Sequence, residues 1–230
     1  MEPENNIIQN NIIQNNIIQN NMIEENKINK NYPEIKILSE KTRPNIVFDL
    51  NGILLYFSHL LDHREVIKYT SYNNFMFIYK DFDMNLYILF YRTHLREFLL
   101  EINNYYDIYI YSSLSKVITD LFITCINTLI GINIFKKVFI KNGLKLKDLI
   151  DLELDEINTV VIDIHNVWKN NEKNLILINI FRGPHDINYD TNTDLILLKK
   201  YLLRIHKLFI DNGYDDIRKF LHDVINTTPF

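Results

Sequence analysis

The sequence predicts a three-layer α/β domain with a mainly parallel sheet, preceded by a low-complexity tail. From residue 45 onward, short apolar runs of strand length alternate with longer stretches whose apolar residues recur at helical spacing. Hydrophobic residues make up 47% of the 230, enough for a sizeable core. Runs of this kind carry Asp49, Ser112 and Asp163 at or beside their ends. In parallel sheets, ligands sit at the carboxyl ends of the strands.

Residues 1–40 stand apart from that pattern. Asn5-Asn6-Ile7-Ile8-Gln9 recurs at 10–14 and 15–19 and decays at 20–24. A five-residue period rotates the Ile pair by about 140° per repeat on a helix and flips it between faces on a strand. Neither element gains a fixed apolar side, so the tail is expected to be disordered and prone to β-association. The domain is assigned to 41–230. Residues 45–50 form a first strand, followed by the turn signal Asn51-Gly52. The runs 75–80 and 86–91 flank a polar stretch and read as a hairpin insert. Residues 92–103 are helical through Leu95, Phe98, Leu99 and Ile102. A strand at 106–111 leads to a helix at 115–129, with Cys125 on its buried face. Strands follow at 137–140, 159–163 and 175–178, and helices at 194–209 and 215–225 close the domain.

Charge and composition narrow the function. A net charge of −4 and a pI of about 6.0 argue against a general nucleic-acid or anionic-membrane binder. A single cysteine excludes an intrachain disulfide and a cysteine-based zinc site. The chain has no alanine and is rich in Asn, Ile, Lys and Tyr, a bias of AT-rich coding, so single asparagines are weak signs of a ligand site. No basic start followed by an apolar stretch marks a secretory signal. The longest uncharged apolar-rich segment, 121–135, is interrupted by polar residues and is too short to span a bilayer. A soluble, intracellular protein is expected, in nucleus or cytoplasm alike.

A carboxylate at a strand end can attack a phosphoryl group. A lysine can neutralise the phosphate, and a second carboxylate can orient that lysine or bind Mg²⁺. Asp49, Lys147 and Asp163 offer this set, and as acids and bases alone they could equally be loop caps or ion pairs. Their local words are more specific. Ile46-Val-Phe-Asp49-Leu-Asn51-Gly-Ile53, Phe90-Tyr-Arg92 through Phe98-Leu99, Tyr106 through Ser112-Ser113-Leu114, Lys145-Leu-Lys147-Asp148-Leu149 and Val160-Val-Ile-Asp163-Ile164-His165 occur in order. Together they resemble the motifs of the RNA polymerase II carboxy-terminal-domain (CTD) phosphatases, particularly the small NLI-interacting-factor-like type, within the haloacid dehalogenase superfamily. The resemblance implies a haloacid-dehalogenase-like fold and a Mg²⁺-dependent protein Ser/Thr phosphatase ancestry. It places Asp49 as nucleophile and metal ligand, with the backbone carbonyl of Asn51 and, more weakly, Asp163 also on the metal. Lys147, Ser112 and Arg92 are placed at the phosphate.

The departures from that pattern carry a second expectation. The family's general acid is an Asp where this chain has Asn51, whose amide holds no titratable proton near neutral pH. Loss of a positioned general acid typically costs about 10²–10⁴ in rate. The family's further metal ligand follows the fourth-motif Asp, where Ile164 has no donor atom, so Mg²⁺ binding is weakened. Ile53 and Tyr111 stand where the family has threonines, with Ser112 able to substitute for the latter. The expected function is a catalytically impaired phosphatase-like domain that binds a phosphorylated or acidic protein segment. The alternatives are an active phosphatase working through an aspartyl-phosphate, and a structural subunit with an empty cleft.

Other features read as structural. His59 and His63 would share a helical face but lack a third ligand, so a surface turn is expected. His165 suits Mg²⁺ poorly and reads as a loop residue. Lys136, Lys137, Lys141 and Lys145 form a basic cluster that could attract an acidic partner and read by default as a solvated surface, and Trp168 and Tyr189 could line a cleft but read by default as packing aromatics.

Overall fold

In the computed structural model, residues 43–60, 76–80, 86–141, 146–185 and 191–227 are described. The repeat tail 1–40, His63, Lys145 and Tyr189 lie outside these. The elements are, in order, β1 (Asn45–Phe48), β2 (Leu55–Leu60), β3 (Met76–Lys80), β4 (Leu86–Tyr91), α1 (Leu95–Ile102) and β5 (Asp107–Ser112). Then come α2 (Lys116–Ile130), β6 (Phe135–Ile140), β7 (Thr159–Asp163), β8 (Leu175–Leu177), α3 (Asp194–Asp211) and α4 (Ile217–Thr227). Apart from β2, the alternation predicted from apolar spacing is this order, with boundaries shifted by at most three residues.

β1 is apolar on both sides, and that decides its place. Ile46 and Phe48 join one buried cluster and Val47 another, so β1 belongs in the middle of a sheet covered on both faces. It pairs in parallel with β5 and with β7, and the five-stranded sheet runs β6-β5-β1-β7-β8. The larger cluster lies under α1 to α4. On the other face Tyr111, Val161 and Trp168 pack with Leu149 and Leu152 of a short 3₁₀ turn, so this third layer is thin. α2 starts where the Ser115 hydroxyl accepts the Ile118 N–H at 3.5 Å and ends at Gly131, whose φ of 88° suits a residue without a side chain. Cys125 is buried on its inner face, where burial pushes the thiol up to about 12.

The predicted hairpin is β3 with β4, and it is part of a larger unit. Residues 55–60, for which the sequence pattern predicts no element, form β2, and the antiparallel order is β2-β4-β3. His59 therefore sits on a strand opposite Tyr87, not on a helix or turn. Its pairing partner is remote in sequence, which is why local spacing misses it.

α3 buries a histidine that the site does not use. His206 is 4% exposed, its Nε2 has no hydrogen-bond partner among the described residues, and its ring meets Tyr105 and Tyr106 at 5.1 and 5.6 Å. Burial first, and then the Arg43 charge, holds its pKa below 6.5. The unfolded chain therefore binds a proton below pH 6.5 that the folded chain refuses. Stability is intact above that pH and falls as pH drops through the window below it. Thermal melts from pH 8 to 5 are expected to show this decline, and His206→Gln to flatten it.

Candidate active site

The site forms where β1 and β7 end side by side. Phe48 is in register with Ile162, and the Asp49 N–H continues the ladder to the Ile162 carbonyl at 3.3 Å. That register brings Asp49 beside Asp163 at the carboxyl edge of the sheet. After Asp49 the chain turns sharply: the Gly52 N–H bonds the Leu55 carbonyl at 2.7 Å and the Ile53 N–H the Leu50 carbonyl at 3.3 Å. Gly52 makes this turn at φ 79°, and a Cβ there would lie 3.0 Å from Ile180 and 3.1 Å from Ile164. A side chain would be both strained and crowded. Lys147 enters from the loop after β6, its N–H bonded to the Val167 carbonyl at 2.9 Å.

The three charged groups that the motifs single out meet in a nearly dry pocket. Lys147 is 5% exposed, Asp163 0% and Asp49 8%. The Lys147 ammonium lies 2.8 Å from Asp163 Oδ2 and 3.4 Å from Asp49 Oδ2. Asp163 is saturated with donors. Its Oδ1 accepts the N–H groups of Ile164 at 2.7 Å and His165 at 3.0 Å, and its Oδ2 accepts Lys147 and the Trp168 indole N–H at 2.9 Å. Asp49 is the less committed carboxylate. Burial raises its pKa above the ordinary 3.8, Lys147 opposes that rise, and Asp163 adds to it.

Around this core the structure sorts the other candidates. The Asn51 Oδ1 is buried with no hydrogen-bond partner among the described residues. Ile164 packs its Cδ1 over the Gly52 turn beside Ile180, an apolar cover where the family has a polar ligand. Ser112 is at the end of β5, fully buried, with its hydroxyl on Thr119 Oγ1 at 2.8 Å and on the Leu114 N–H at 3.2 Å. Arg92, offered by the sequence as a substrate contact, is spent on the protein itself. It is fully buried and donates to the carbonyls of Ile53 at 3.1 Å and Asn179 at 3.0 Å and to the Asp194 carboxylate. It is a clamp between three chain segments, because a buried guanidinium has to satisfy its donors where it stands. Lys136, Lys137 and Lys141 pair with Asp107, Glu153 and Asp151, outside the pocket. His165 is exposed and contributes its backbone N–H. Trp168, which the sequence reads by default as packing, touches the site. An indole five positions after Asp163 is visible as spacing, but its bond to that carboxylate depends on how the intervening loop folds back.

The donor set bears on Mg²⁺, which the resemblance implies. Asp163 has no free lone pair to give, Ile164 has no donor, and only the Asp49 carboxylate and the oxygens of Asn51 remain. Among the described residues, no group of three or more His, Cys, Asp or Glu could hold a metal. One carboxylate, itself paired with Lys147, does not fit a resident octahedral Mg²⁺.

The parallel sheet order and the antiparallel insert after β1 define a haloacid-dehalogenase-like fold. A model of the NLI interacting factor-like phosphatase family matches residues 44–218, and the chain belongs to that family. Among solved structures it is similar to Fcp1, an essential RNA polymerase II CTD phosphatase, with a TM-score of 0.64 and 17% identity over 81% of this chain and 71% of that one. It is also similar to a variant of fission yeast Fcp1 bound to beryllium fluoride, with a TM-score of 0.52 and 18% identity over 81% of this chain and 63% of the other. At these identities the likeness shows the fold. No curated protein sequence matches the chain. No helix among the described residues is long and apolar enough to cross a membrane.

Proposed function

We propose that this domain holds a phosphorylated or acidic protein segment at Asp49, Asn51 and Lys147 and turns it over poorly. The observation that supports it is a split within one site. The phosphate-facing lysine and its two carboxylates stay assembled, while the general-acid position holds Asn51 and the metal-ligand position holds Ile164 packed on an apolar turn. Lys147 supplies the positive charge and Asp163 fixes it. The Asn51 amide can hydrogen-bond a phosphate oxygen but cannot give a leaving alkoxide its proton. The CTD phosphatase relatives make a phosphoserine peptide the first ligand to try.

With Asp49 ionised, one positive charge faces two negative ones, so an entering phosphate is favoured when Asp49 is neutral. The raised pKa of Asp49 moves in that direction. Asp49→Asn is therefore expected to tighten phosphoserine-peptide binding, measured calorimetrically without metal, by about tenfold or more. Weaker binding in that variant would count against a site that holds phosphate.

A second reading, an active phosphatase, draws on the freedom of Asp49. At 3.4 Å from Lys147 against 2.8 Å for Asp163, it keeps an oxygen available for attack on phosphorus. Hydrolysis of an aryl phosphate, with and without Mg²⁺, separates the two, because an aryl leaving group needs little protonation. Peptide binding without aryl-phosphate turnover supports the first reading. Metal-dependent turnover abolished by Asp49→Asn supports the second.

A further inference from the structure

Trp168 is the only tryptophan in the chain, it is fully buried, and its single donor is aimed at Asp163. The indole N–H and the Lys147 ammonium share one oxygen, Asp163 Oδ2, at 2.9 and 2.8 Å. The other oxygen is pinned by two backbone N–H groups of the same loop. A carboxylate held by four donors cannot rotate, so the face it shows Lys147 is set by the loop and by the indole. The ring acts on the lysine directly as well. The ammonium lies 5.7 Å from the Trp168 ring centroid and 5.5 Å from that of Tyr111, and the two rings meet edge to face at 5.2 Å. The backbone completes the arrangement, since Lys147 bridges Trp168 and bonds the Val167 carbonyl.

We infer that Trp168 is a positioning residue: it orients Asp163 so that Lys147 is held on that carboxylate and away from Asp49. The closer approach to Asp163 follows from this shared oxygen. Without the indole donor, Oδ2 is held by Lys147 alone, its position is less tightly fixed, and the ammonium is drawn toward Asp49, the carboxylate with fewer other donors. That pairing would cover the oxygen that a ligand must meet. The effect on ligand binding rests on the function proposed above, whereas the effect on Lys147 does not.

The test uses the full chain labelled with ¹⁵N. One tryptophan gives one indole cross-peak, expected downfield and protected from exchange with water, and the Lys147 ammonium is expected to give a protected signal too. Trp168→Phe keeps a buried ring and removes the N–H. It is expected to lose the ammonium signal to exchange and to weaken phosphoserine-peptide binding about tenfold. Phe209→Leu, a packing loss at the end of α3 opposite Asp194, is expected to leave both unchanged. In an Asp163→Asn background the Trp168 substitution should cost no further affinity, since the route through that carboxylate is gone. An unprotected indole N–H in the native chain, or an ammonium signal that persists in Trp168→Phe, overturns the inference. Equal affinity losses in both backgrounds would assign Trp168 to packing alone. If the native chain binds no phosphopeptide, the proposed function falls while the two NMR signals still decide the role of Trp168.

Discussion

Replacing Lys147 with methionine is expected to destabilise the domain by about 3–5 kcal/mol, because it leaves two buried carboxylates facing each other without a cation. In a domain of this size that is a fall of roughly 6–20 °C in thermal midpoint. Asp163 is 0% exposed and Lys147 5%, so solvent cannot take over the lost pairing. Removing the negative partner along with the lysine, as in Lys147→Met with Asp163→Leu, should recover part of the loss, since an apolar pair avoids the desolvation of both charges. Asp49 adds a sign that a melt can check. Its folded-state pKa is raised above 3.8, so the folded chain binds a proton that the unfolded chain releases. Its ionisation therefore lowers stability as pH rises from about 4 through the raised value. Lys147→Met should push that value higher and extend the decline to higher pH. A melt of Lys147→Met indistinguishable from that of the native chain would mean that the three groups do not form the buried network described.

On the proposed function, replacing Asn51 and Ile164 with polar residues of the family pattern should raise turnover more than any other change in the site. On that reading, Asn51→Asp puts a titratable group at the general-acid position, worth about 10²–10⁴ on a phosphoserine peptide and far less on an aryl phosphate. The difference between the two substrates is the diagnostic, because only the alkyl leaving group needs the proton. Ile164→Asn places an oxygen donor beside the Gly52 turn, where Ile164 now packs, and should bring Mg²⁺ dependence with it. The double variant is expected to hydrolyse phosphoserine peptide in Mg²⁺, with Asp49→Asn in the same background abolishing the activity. If the native chain already matches the double variant on both substrates, the site is not impaired.

These predictions rest on features of unequal legibility. The strands that build the central sheet are visible as short apolar runs, since a strand buried on both faces needs nothing else locally. Asp49, Lys147 and Asp163 stand out because ordered motifs surround them, and the register of β1 with β7 is what brings the two carboxylates together. β2 is not visible, because its pairing with β4 crosses a long insert.

The sequence alone determined the alternation of all the elements but β2, the family, and the identities that stand at positions 49, 51 and 164. All of these are written in residue identity and spacing. Tertiary structure decided which polar groups are spent and which are free. Arg92 looks like a ligand contact until Ile53, Asn179 and Asp194 converge on it, and Ser112 until Thr119 takes its hydroxyl. Trp168 looks like packing until its loop returns the indole to Asp163. The physical reason is common to all three: apolar burial follows a local period, whereas a buried donor must find its acceptor in space, and that acceptor can lie anywhere along the chain.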